Sequence, residues 1–104
     1  MIQFISLSSG SNGNCYYLGN EQTALLIDVG KEGRHIKKTL TDNNLSISNV
    51  QMILVTHNHI DHIKYLGSVA DRLSVPVYAP SGIHQALEVH PCTKGTMNGC
   101  KRVI

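Results

Sequence analysis

Apolar and polar positions change their spacing along the chain, from strand-like runs near the start to an alternation of strand and helix after residue 50. Ile2 to Leu7 predicts a short strand, and Ser8 to Asn14 follows with the Gly and Asn density of a tight turn, in which Asn12-Gly13 tolerates positive φ. Cys15 to Gly19 and Thr23 to Val29 predict two more strands parted by Asn20-Glu21-Gln22, so an antiparallel meander is the simplest topology. One of the neighbours Tyr16 and Tyr17 should then pack inward while the other faces out. After Gly30 to Gly33 comes Arg34 to Asn43, where Ile36 and Leu40 give a thin apolar stripe at i, i+4 and predict a largely exposed helix with His35 at its surface.

Met52-Ile53-Leu54-Val55 is an uninterrupted apolar run, as expected of a strand covered on both faces. Ile63, Leu66, Val69, Ala70 and Leu73 share one helical face, so the pattern predicts a single amphipathic helix from Ile63 to Leu73, with Pro76 forcing a break. Val75 to Ala79 reads as a strand, and Ser81 as the N-cap of a helix from Gly82 to about Val89. From Cys92 to Arg102 periodicity is lost, and Val103-Ile104 stands where another strand begins. The expectation is one truncated α/β domain over residues 1–104, without repeat, low-complexity tract or linker.

With 104 residues and 41% hydrophobic content, the chain has little core to spare. A formal charge of +2 names no partner, because the basic pairs Lys37-Lys38 and Lys101-Arg102 read as solvated surface rather than a nucleic-acid track. Three cysteines argue against a disulfide framework and fit a reducing compartment, and the first residues carry neither a basic leader nor a long apolar stretch. A cytoplasmic protein is the expectation.

The chemistry lies in Thr56-His57-Asn58-His59-Ile60-Asp61-His62, directly after the apolar strand. Residues two apart in an extended segment project from the same side, so His57 and His59 can aim at one point while Asn58 faces away. Asp61 and His62 follow at the mouth of the next helix and can serve a second cation nearby. Nitrogen and oxygen donors suit zinc, manganese or iron. A histidine-rich polar turn is the bland alternative, but four potential ligands within six residues, where a buried strand meets a helix, weigh against it.

This segment resembles the His-x-His-x-Asp-His signature of the metallo-β-lactamase superfamily. Asp28-Val29-Gly30 is similar to that family's acidic residue and glycine after an early strand, and Ser8 to Tyr17 is similar to its YycJ/WalJ-like branch. The resemblance implies the N-terminal half of an αββα sandwich, a mixed sheet with flanking helices and the metal loop at the sheet's edge. It implies two divalent metal ions, most simply zinc, with His57 and His59 on the first and Asp61 and His62 on the second. Asp28 would support the loop from behind, and Asp61 would also be catalytic by orienting the attacking hydroxide. The implied activity is metal-dependent hydrolysis of a phosphodiester, nucleic acid included. Complete members add two histidines and a bridging aspartate from downstream segments that have no counterpart here, and Tyr65 stands where relatives often have glycine.

Two readings stay open beside this one. A thioester or lactam hydrolase would use the same metals on a carbonyl, and a non-catalytic fragment would assemble, as a homo-oligomer, through its open sheet edge. Among other residues, Gly10 to Asn14 reads as a plain hairpin turn before it reads as a phosphate nest. His84, His90, Cys92 and Cys100 read as solvated histidines and free thiols before a zinc clip, since their spacing lacks the paired CxxC pattern.

Overall fold

Alternation in the strand segments carries a set of buried apolar residues: Leu7, Tyr17, Leu26, Ile53, Val77 and Ala79 all lie at or below 4% exposure. A period of two places such residues on one sheet face. In a computed structural model that describes residues 2–10, 13–57, 59–89 and 100–103, the last four and residues 84, 88 and 89 by backbone alone, these residues line one side of a six-stranded sheet. The strands are β1 (Gln3–Ser8), β2 (Cys15–Gly19), β3 (Ala24–Ile27), β4 (Val50–Leu54), β5 (Val77–Pro80) and β6 (Cys100–Val103), in that spatial order. The β1–β2–β3 meander is antiparallel as expected, and β3 through β6 run parallel. The helices are α1 (Gly33–Asp42), α2 (Ile60–Ile63), α3 (Leu66–Leu73) and α4 (Ser81–Val89).

Successive parallel strands that step in one direction, joined by right-handed crossovers, put every connecting helix on the same face. Burial agrees: Ile36 and Leu40 of α1, Ile63 of α2, Leu66 and Val69 of α3 and Leu87 of α4 join the strand residues in one core. The other face keeps Phe4, Leu18, Leu25 and Met52 abreast on neighbouring strands, and Tyr16, Ile27, Leu54 and Tyr78 on the next row. Phe4 is 62% exposed and stacks on Tyr16, the rest are half-buried, and none belongs to the core.

This one-sidedness corrects the expectation that 52–55 is covered on both faces: Ile53 and Val55 are buried, but Met52 and Leu54 are only half covered. The expected helix from Ile63 to Leu73 is also two helices. The Tyr65 N–H donates to the Val29 carbonyl at 3.0 Å, and the Asp61 carbonyl, its normal helical partner, accepts from the Asn14 N–H at 2.7 Å. Two bonds from distant loops thus replace one rung of the helix. The third strand is shorter than Thr23 to Val29 because Asp28 takes a left-handed conformation with φ 62°, which ends the extended run. The last strand starts at Cys100, not at Val103, since pairing with β5 organises backbone that shows no periodicity.

Candidate metal centre

The site grows from the carboxyl ends of β3 and β4. Beyond β3, the Asp28 N–H donates to the Leu54 carbonyl at 2.7 Å, tying it to β4, and the residue is 1% exposed. An isolated buried carboxylate is costly, so it must be well hydrogen-bonded. Asp28 accepts from the Thr56 N–H at 2.7 Å, from the Thr56 hydroxyl at 2.6 Å and from His62 Nδ1 at 2.8 Å. These three bonds fix more than position. The single Thr56 hydroxyl hydrogen goes to Asp28, so Thr56 Oγ1, 2.8 Å from His57 Nδ1, accepts from that ring nitrogen. Both imidazoles therefore carry a proton on Nδ1, so that Nε2 is the nitrogen available to a cation. Orienting partners of this kind are what metal-binding histidines require.

One donor atom each from Asp28, His57 and His62 lies within 4.8 Å of the others. With a Zn–N bond of about 2 Å and about 1.1 Å from nitrogen to ring centre, two imidazoles sharing an ion sit about 5 Å apart. The His57 and His62 rings are 4.6 Å apart, and those of His57 and His59 are 6.1 Å apart. The His57 and His62 rings thus stand at the separation a shared divalent cation requires, with Asp28 behind them as the group that orients His62. His59 is exposed and precedes α2, and Asp61 sits in the first turn of α2 with Oδ2 3.9 Å from His62 Nε2. All four sequence-predicted residues meet at one mouth, but the nearest ring pair joins His57 to His62 rather than to His59.

Asp61 is clamped by a residue that sequence reasoning missed. The Asn14 amide nitrogen donates to Asp61 Oδ2 at 3.1 Å and to its carbonyl at 3.3 Å, adding to the backbone bond. Asn14 Oδ1 accepts from the Gly10 N–H at 3.1 Å, so the turn after β1 is tied to α2. No periodicity or spacing marks Asn14 as part of a site, and Thr56, though it heads the signature segment, has no role expected of it there. Behind them Cys15 is fully buried, and its thiol is pushed up to about 12, first by burial and then by the charge of Asp28, so it stays a neutral thiol at neutral pH. Of the expected surface residues, His35 is half-buried, with Nε2 3.1 Å from the Leu7 carbonyl. His90 and Cys92, and the side chains of His84 and Cys100, lie outside the described residues.

Residues 9–91 match the sequence pattern of the metallo-beta-lactamase superfamily. The chain belongs to that superfamily. Over 84% of its length it is 41% identical to a protein of Bacillus anthracis named exodeoxyribonuclease YycJ, and 38% identical to exodeoxyribonuclease WalJ of Streptococcus pneumoniae. It spans about a third of these curated relatives, 33% and 32% of their respective lengths. Among solved structures, a subclass B3 metallo-beta-lactamase from a soil metagenome library superposes with a TM-score of 0.71 at 18% identity, over 89% of this chain and 40% of that one. The chemotaxis sensor ODP, in a peroxy diiron state, gives 0.74 at 14% identity, over 98% and 40%. At such identities these two carry the metallo-beta-lactamase fold alone, here the mixed sheet with flanking helices. Superfamily membership implies divalent metal ions, and the donor set described above suits them. No helix among the described residues is long and apolar enough to cross a membrane.

Proposed function

We propose that this chain forms the metal-binding part of a phosphodiesterase of the nuclease type. The observation that carries the reading is the Asp28–Thr56–His57–His62 network, which engages both imidazoles through Nδ1 and turns both Nε2 atoms outward beside a clamped carboxylate. On this reading two divalent cations, most simply zinc and otherwise manganese or iron, are held by His57 and His59 and by Asp61 and His62. Once bound, they supply Lewis acidity that lowers the barrier to attack on a phosphoryl group. Asn14 occupies Asp61 Oδ2, and Oδ1 accepts no hydrogen bond among the described residues. That oxygen is left free to face the cation and to orient the water beside it. The names of the relatives favour DNA as the substrate class over a thioester or lactam.

The test is turnover of bis-p-nitrophenyl phosphate and of a thioester by the zinc- or manganese-loaded chain, alongside Asp61→Asn. Phosphodiester cleavage lost in Asp61→Asn is expected; thioester turnover alone, or no metal uptake, would overturn the proposal.

A second reading rests on the uncovered sheet face and the edge strand β1, where Phe4 is 62% exposed and Ile2, just before the strand, 72%. An apolar face of this size invites association. On this reading a second copy covers it, giving concentration-dependent elution in size-exclusion chromatography that Leu18→Lys abolishes. Elution as a monomer at every concentration refutes it.

A further inference from the structure

A cavity of about 380 Å³ opens beside Asp61, walled by Gly30, Lys31 and Glu32 on one side and by Asp61, Lys64 and Tyr65 on the other. Its charges are unevenly committed. Glu32 faces Arg34 at 3.9 Å, and Asp61, whose partner Asn14 is neutral, keeps its charge for a cation. Lys31 and Lys64 have no carboxylate partner among the described residues, whereas Lys38, on the far surface of α1, pairs with Asp42. The Lys64 ammonium lies 5.6 Å from the centre of the Tyr65 ring, an arrangement that restrains a long side chain without neutralising it. Once a cation takes up the charge of Asp61, two lysines without a carboxylate partner line one hollow, which then favours an anion. The volume falls at the lower end of small-ligand pockets, room for one nucleotide unit rather than a duplex. Because Asp61 belongs to the cavity wall and its Oδ2 lies 3.9 Å from His62 Nε2, an anion here sits next to whatever the histidines engage.

We propose that Lys31 and Lys64 bind the phosphodiester adjacent, along a nucleic-acid strand, to the one presented to the metal donors, with the Tyr65 ring as a flank for the intervening nucleoside. This rests on the phosphodiesterase reading for its substrate class. It adds the subsite that lets the protein grip a strand instead of an isolated diester.

The experiment is fluorescence anisotropy of a labelled single-stranded oligonucleotide against the metal-loaded chain, with salt varied. Each phosphate contact on a single strand contributes about 0.7 to the slope of log affinity against log salt. Lys31→Gln and Lys64→Gln should each lower the slope by about that amount and the double variant by about twice it. The paired Lys31→Arg/Lys64→Arg variant should restore it, and Lys38→Gln should leave it unchanged. A double glutamine variant with the wild-type slope, or a wild-type chain that binds no oligonucleotide, overturns the subsite. Cleavage of bis-p-nitrophenyl phosphate with an unchanged slope sinks the subsite alone. Slope loss without cleavage keeps the subsite and sinks the catalytic reading.

Discussion

Asp28→Asn is the most informative substitution, because it keeps shape and backbone while changing one atom's role. Asn tolerates the left-handed region almost as well as Asp, so the φ of 62° is not the variable being tested. The amide oxygen can still accept from the Thr56 N–H, now 2.7 Å from Oδ1. The amide nitrogen then stands where Oδ2 met two donors, the Thr56 hydroxyl at 2.6 Å and His62 Nδ1 at 2.8 Å. The hydroxyl can rotate and accept, but His62 Nδ1 must lose its proton, which moves to Nε2 and removes the lone pair a cation needs. Hydrogen bonds to a charged group are worth about 1.5–3 kcal/mol and neutral ones about 1, so weakening two of them costs roughly 1–4 kcal/mol of folding stability. Loss of an orienting partner lowers metal affinity by about 10- to 100-fold, equivalent to roughly 1.4–2.7 kcal/mol. Calorimetric zinc titration together with urea unfolding measures both. Zinc binding in Asp28→Asn within about twofold of wild type would refute the tautomer argument, whatever happened to stability.

Gly30→Ala should lose about 3 kcal/mol or more in urea unfolding, because its Cβ would fall 1.8 Å from the Asp61 carbonyl oxygen, whereas Gly82→Ala in α4, with open space around it, should be neutral or gain up to about 1 kcal/mol. Equal effects of the two would contradict the crowding described. Cys15 has its thiol raised from 9.0 to about 12, so the protonated form favours the folded state. That stability is complete below pH 9 and is lost as pH rises toward 12, by about 4 kcal/mol across the interval. Wild-type urea midpoints should therefore fall more steeply than those of Cys15→Ala between pH 9 and 11, and parallel curves would count against it. Leu40→Ala, at a position with 0% exposure in α1, should cost about 2–5 kcal/mol, read from the urea midpoint; a cost below about 1 kcal/mol would mean that α1 packs on the sheet only loosely.

Local periodicity foretold much of this architecture. The strand at Cys15–Gly19 has the bounds its alternation implies, Tyr17 is buried while Tyr16 is half-covered, and Ile36 and Leu40 are the buried stripe of α1. The histidine loop stands out in the sequence because its candidate donors are neighbours there, and the fold brings the His57 and His62 rings to 4.6 Å. What could not be read depends on partners far away along the chain. The interruption at Tyr65 follows from backbone bonds to Asn14 and Val29, which leave no imprint on the amphipathic pattern of 63–73. An apolar run such as 52–55 cannot reveal that all the crossovers fall on one side of the sheet. Thr56 and Asn14 look like ordinary polar residues until Asp28 and Asp61 are brought against them.

The loops around the donors are joined mainly through main chain: Asn14 to Asp61, Gly30 to Asn14, Val29 to His62 and Tyr65 to Val29, at 2.7–3.0 Å. A network of that kind cannot loosen through rotamer changes; it opens only when three segments separate together. The four amides should therefore exchange with deuterated solvent as one cooperative group, at a common opening free energy set by that separation. The histidine mouth would then respond to temperature as a unit, with no gradual fraying from the tip of its loop.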